Sequence, residues 1–175
     1  LRERVLQPLG MPDTGFGVPG GARDRIGPHW TPPGEDGRRE CYDPADGQWS
    51  RPPAVPDGAD GLVSTVDDLA AFGRALLAGG GPVLGGGTVR AMLTEQAGPV
   101  DAEGGGWGLG LGVRREDESG GRHAGSFGWD GGLGSSWWSD PVTGTTAVLL
   151  TNQLWDSPAP PAVFGAFRAV AFGPR

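Results

Sequence analysis

The sequence contains no lysine; all of its basic side chains except two histidines are arginine. That excludes Schiff-base chemistry, a phosphate-binding loop built on Lys, and a Ser–Lys nucleophile pair completed within this chain. A single cysteine, Cys41, forbids an internal disulfide and leaves redox compartment and localisation open. His29, Cys41 and His123 are too scattered to give metal-ligand spacing, so neither a metal nor a cofactor is expected. Asp57, Asp60, Asp67 and Asp68 suit a turn and a helix N-terminus better than a calcium loop. No apolar run approaches the ~20 residues of a membrane span. With a net charge of −7 and no basic stripe, nucleic acid and anionic membranes are poor partners. Leu1 opens the chain without an initiator Met, basic n-region or signal-peptide core, so a fragment's beginning is expected.

Aliphatic residues are also scarce. Isoleucine occurs once, and Leu, Ile, Val and Phe together make about a fifth of the 175 residues. Glycine (35) and proline (17) approach a third, so both ratios stand near the boundary of disorder. Two features pull towards order. The net charge is modest for this length, and seven Trp suit a chain that packs them. A loop-rich globular unit with a thin core of its own follows, one domain or a piece of one.

Residues 1–7 carry apolar positions at helical spacing, and Pro8 should end that helix at Gln7. The stretch 15–61 is rich in Pro and Gly, holds no periodicity, and reads as an irregular loop of the kind used for lids or binding. Order returns at Leu62. Ser64 is a candidate N-cap with Asp67 three residues on, followed by an apolar face of Val66, Leu69, Phe72 and Leu76, stopped at Gly79–Gly81. A shorter helix is expected from about Thr88 to Gln96. The period then changes. Residues 106–113 alternate between apolar residues and bare glycine, which is strand spacing, and a glycine face implies a close neighbour. Residues 122–127 can return as a strand. Asp140-Pro-Val-Thr-Gly144 has hairpin-turn chemistry before a β-rich run at 145–151. A closing helix should turn Val163, Phe164, Phe167 and Val170 inward. Helices, an antiparallel meander of about four strands and a final helix define an α+β fold, an antiparallel β-sheet flanked by helices.

The candidate chemistry lies in Arg122-His123-Ala124-Gly125-Ser126-Phe127-Gly128-Trp129-Asp130. His123 also fits a plain hydrogen-bonded strand histidine beside a turn. Gly125-Ser126 invites a nucleophile-elbow reading. However, Ala124 stands where the first glycine of G-x-S-x-G belongs, and both histidines precede Ser126, against the order that fold needs. Trp107, Trp129, Trp137 and Trp138 could form a platform for a glycan or peptide; equally, alternate members could be core. Trp137 and Trp138 are adjacent and must point to opposite faces, so one of them could line a groove.

Several motifs occur together in order. Leu6-Gln7-Pro8-Leu9-Gly10-Met11-Pro12-Asp13-Thr14, Gly61-Leu62-Val63-Ser64-Thr65-Val66-Asp67-Asp68-Leu69, Gly106-Trp107-Gly108-Leu109-Gly110 and His123-Ala124-Gly125 precede the meander and closing helix. Over nearly its whole length the chain resembles the C-terminal half of the serine hydrolases related to class C β-lactamases and penicillin-binding DD-peptidases. The resemblance implies a partial domain spanning 1–175. It also implies an acyl-enzyme formed on an ester, amide or β-lactam carbonyl of a small-molecule or peptide substrate. The family's Ser-x-x-Lys and Tyr-x-Asn motifs would lie before Leu1, in a missing N-terminal half; Tyr42 has no Asn two residues on. The chain alone is therefore expected to be inactive. By the same resemblance His123 occupies the first position of the third motif and acts in catalysis. Ala124 and Gly125 leave a smooth strand edge for substrate, the Ser126 N–H serves the oxyanion hole, and Trp129 borders the acyl pocket with the Trp30–Trp49 loop. The rival expectation is a non-catalytic, Trp-lined module that binds a glycan or peptide.

Overall fold

The computed structural model describes residues 1–18, 21–98 and 104–173. A π-type turn at Arg2–Leu6 runs into a short helix α1 (Gln7–Leu9). The helix expected to stop at Gln7 thus extends to Leu9, because Pro8 sits in the first turn of α1, where its missing N–H costs little. Gly10, at φ +66°, then ends it; the Met11 N–H reaches back to the Leu6 carbonyl at 2.9 Å.

The irregular stretch holds one small ribbon, strand β1 (His29–Trp30) against β2 (Cys41–Asp43). Helix α2 (Val66–Leu77) follows. Its N-cap is Thr65, not Ser64: the Thr65 hydroxyl accepts from the Asp68 N–H at 3.3 Å, which puts Asp68 at the third helical position. Asp68 is buried and accepts from the Asp13 N–H (2.9 Å) and the Thr14 hydroxyl (2.7 Å). Ser64 bonds Thr14 instead, at 2.8 Å. The turn after α1 is thereby bolted to the start of α2. Helix α3 covers Gly86–Met92 rather than 88–96. It stops early because the chain beyond it bonds the sheet: the Gln96 N–H goes to the Trp107 carbonyl, and the Leu109 N–H to that of Met92.

The main sheet is an antiparallel meander of five strands in sequence order: β3 (Gly105–Trp107), β4 (Gly112–Arg114), β5 (Phe127–Gly131), β6 (Ser135–Asp140) and β7 (Thr145–Leu150). The single strand expected over 106–113 is a tight hairpin, folded at Gly110, whose φ of +84° only glycine adopts freely. The expected close neighbour exists at Gly108, where a Cβ would collide with the Met92 carbonyl. The strand expected over 122–127 begins only at Phe127, since 123–126 form a turn. The turn predicted at 140–144 is present, with the Asp140 carboxylate accepting from the Val142 N–H at 2.8 Å.

The two sheet faces carry separate cores. Leu76, Val89, Leu111, Val113 and Phe127 pack with Phe72 and Trp137 beneath α2 and α3. Trp138, Ala147 and Phe172 pack with Phe167 beneath α4 (Ala162–Phe172). The adjacent Trp137 and Trp138 do face opposite ways, but each enters a core rather than a groove. Helix and sheet approach closely at Gly73, where a Cβ would meet Thr146, Ser139 and Trp137 within 2.7 Å. On α4 the inward side is Phe164 and Phe172 with Arg168 between them, four residues apart; Val163 and Val170 are exposed. Of the four residues expected inward, Phe164 and Phe167 do turn inward; Val163 and Val170 do not, because the inward side continues through Arg168 to Phe172.

Candidate functional site

Strand β4 ladders only with Phe127 and Gly128 of β5, so 129–131 run on without a partner on that side. An unpaired edge presents backbone donors and acceptors, a template for an extended ligand. Here it opens into a cleft of about 970 Å³. One wall is the sheet's far end, with Trp129, Gly131, Leu133 and Leu150. The other is the irregular segment and its exit, with Arg25, His29, Tyr42, Trp49 and 58–65. Strand-like bonds hold that segment in place: the Trp30 N–H to the Asn152 carbonyl and the Leu154 N–H to the Trp30 carbonyl, both 2.9 Å, and a bridge between Gly15 and Val63. Trp129 is half exposed, with Trp107 edge-on to it at a centroid distance of 4.6 Å.

Behind the edge, facing α4, lies a closed ring of polar contacts. Asp130 accepts from the Ser136 hydroxyl, the Trp138 indole N–H (2.9 Å) and Arg168 (3.0 Å). Arg168 also approaches Glu118 at 3.6 Å; Glu118 takes Arg122 at 2.8 Å, and the Arg122 guanidinium lies 3.9 Å over the Trp138 ring. Burial works to raise the Glu118 carboxyl, but the hydrogen bond and charge of Arg122, with Arg168 behind, hold it below its ordinary value. Burial and the neighbouring Arg122 charge push Arg168 down.

The residues expected to share one site are divided between two places. Trp129 lines the large cleft. His123, Ala124, Gly125 and Ser126 form a turn preceding β5, with Gly125 at φ +84°. They lie at the Phe127–Ser139 end of the β5–β6 pair, whereas the cleft lies towards the Gly131–Ser135 end. Four residues of strand separate those ends, roughly 13 Å. The Ser126 N–H is spent on the His123 carbonyl at 3.0 Å, and the Ser126 side chain is fully buried. The Ala124 N–H bonds Asp117 at 2.8 Å. His123 Nδ1 meets the buried carboxylate of Asp140 at 2.7 Å beside a separate depression of about 530 Å³ lined by Asp117, Glu118 and Phe172. The hydrogen bond to Asp140 raises the His123 pKa; burial opposes it, and the charges of Asp140 and Asp117 add to it. For Asp140 burial works upward, but the His123, Val142 and Thr143 bonds hold it down.

Sequence reasoning held Asp130 within the candidate segment without giving it a role, and passed over Arg168. The one available signal was an arginine four residues from Phe164 and four from Phe172, inside an otherwise apolar helix. Among the described residues, no three of His, Cys, Asp and Glu stand together as a metal site needs, and no helix is long and apolar enough to cross a membrane.

A family model described as Beta-lactamase matches residues 1–165. The chain is similar to Esterase EstB from Burkholderia gladioli, 30% identical over 185 residues, which cover 95% of this chain and 46% of that protein. Among solved structures it resembles simvastatin synthase LovD from Aspergillus terreus (23% identity, TM-score 0.75, 97% of this chain and 47% of that one). It also resembles the octameric penicillin-binding protein homologue from Pyrococcus abyssi (21%, TM-score 0.66, 97% and 36%). The chain spans less than half the length of each.

Proposed function

Because this chain belongs to the β-lactamase family, we propose that residues 1–175 are the C-terminal portion of one serine-hydrolase domain. That domain works through an acyl-enzyme on an ester, amide or β-lactam carbonyl. The observation that carries this reading is the open β5 edge at 129–131 facing a large cleft. The attacking serine, with its Ser-x-x-Lys and Tyr-x-Asn motifs, belongs to polypeptide outside this sequence, which has no Lys to supply. Substrate lies along the β5 edge, and Trp129 supports its acyl group. An N–H on that edge completes an oxyanion hole with the serine's own N–H; one such donor lowers the barrier by about 3–4 kcal/mol. The Ser126 N–H, already bonded within its turn, is a poorer candidate for that task than an edge donor. His123, Ala124, Gly125 and Ser126 serve the site from a distance, as the turn that starts β5 in register.

The test uses a polypeptide that joins this chain to its serine-bearing half. A fluorophosphonate or β-lactam should add one acyl or phosphonyl mass on a serine outside 1–175, and this chain alone should take none. Trp129→Ala should lower kcat/KM about ten- to hundredfold, the worth of one large apolar contact. An adduct on Ser126, or none on a folded protein, refutes the reading. The Trp107–Trp129 pair at the cleft favours one rival, a non-catalytic module; glycan or peptide binding without any adduct would establish it.

A further inference from the structure

The cleft is unusual in what the rest of the molecule leaves uncovered there. Tyr42, Leu62, Trp129 and Leu150 are each between 41% and 51% exposed, and all four line it. They come from four separate stretches of the chain, so no local sequence pattern groups them. Large apolar side chains left in water around one cavity mark a ligand groove. Charge on the same wall is sparse and tilted to the negative. Its described ionisable groups are Asp13, Asp60, Arg25, His29 and Tyr42. The one guanidinium, on Arg25, is committed to Asp13 at 2.9 Å. The Nε2 atom of His29 is sealed from solvent. On this chain's side of the cleft an anionic ligand would meet two carboxylates and one cation already paired.

We infer that this cleft takes an uncharged ester with an extended apolar or aryl acyl group, in preference to a substrate carrying a carboxylate. The inference rests on the serine-hydrolase reading above. β-Lactams and peptides with a free C-terminus carry that carboxylate, and holding it requires an unpaired cation or a cluster of free donors. Neutral acyl chains need only apolar walls, which Tyr42 on one side and Trp129 with Leu150 on the other supply. In the reaction the serine oxygen bonds the acyl carbon, the alcohol departs with a proton, and water later releases the acid.

The experiment compares p-nitrophenyl hexanoate with mono-p-nitrophenyl adipate, in which a terminal carboxylate replaces the methyl, on the polypeptide carrying both halves. The hexanoate should be preferred at least about tenfold in kcat/KM at low salt, and the gap should narrow as salt rises. From acetate to hexanoate, kcat/KM should climb roughly fourfold per methylene. Tyr42→Ala should reduce that increment. Asp13→Asn, which releases Arg25, should narrow the neutral–anionic gap. A flat acyl-length profile overturns the substrate assignment. So does adipate, or an anionic cephalosporin, turned over as fast as hexanoate; the serine adduct then still upholds the hydrolase reading. Absence of that adduct overturns both.

Discussion

Replacing Arg168 by Met tests whether the ring behind β5 acts as one unit. Arg168 is only 12% exposed and holds Asp130 at 3.0 Å, itself nearly buried. Removing one partner of a buried pair typically costs 3–5 kcal/mol. Two local facts reduce that here. Asp130 keeps the Ser136 hydroxyl and the Trp138 N–H as donors, and the desolvation cost of Arg168 disappears with it. We expect a loss of about 2–3 kcal/mol for Arg168→Met and a similar loss for Asp130→Asn, which strands the guanidinium. The double variant leaves no unpaired charge at that contact. It should therefore lose less than the sum of the singles, with a coupling of about 1–3 kcal/mol. Urea unfolding followed by tryptophan fluorescence measures all four species. Losses that add to within about 0.5 kcal/mol would refute the ring as a coupled unit and reduce it to independent contacts.

Three other outcomes follow from the structure. The His123 pKa is raised in the folded state by Asp140. The pair's stabilisation is therefore fully present below the ordinary histidine value of 6.5 and is lost as pH climbs through the raised one. Thermal melts of the parent should lose their advantage over His123→Ala across that alkaline limb, and an advantage that grows with pH would contradict the assignment. Gly108→Ala should destabilise severely, by about 3 kcal/mol or more, because its Cβ strikes the Met92 carbonyl, whereas Gly85→Ala meets open space and should shift the melt little. Asp68→Ala should cost about 3 kcal/mol by stranding the Asp13 N–H and Thr14 hydroxyl, with Asp68→Asn nearer 1–2; equal losses would argue against charge-assisted bonds there.

Much of the chain was legible because its signals are local. Glycine runs, a hydroxyl residue with an acidic one three residues on at the start of α2, and Asp140-Pro141 each act over a few residues of backbone, so the helices, the last hairpin and the α+β class follow from short windows. The strand at 106–113 misled for a physical reason. Alternating glycine satisfies the period of a strand, but Gly110 is equally free to turn, and only the pairing of Gly106 with Val113 and Trp107 with Gly112 decides between them. Likewise, Ser64 and Thr65 are both competent caps, and the choice went to the one whose neighbour could bond Thr14 from a distant turn.

The sequence by itself determined the family, the antiparallel order and the absence of any lysine-based nucleophile, since these depend on residue identity and short-range geometry. Only the tertiary structure decided where a ligand can sit. The open edge of β5 exists because β4 is too short to cover it. The cleft walls meet because segments 122 residues apart in sequence bond through Trp30 and Asn152. The Asp130–Arg168 contact joins a strand to a helix 38 residues on. Contacts of that range carry no periodicity, so they become visible only when the chain has folded.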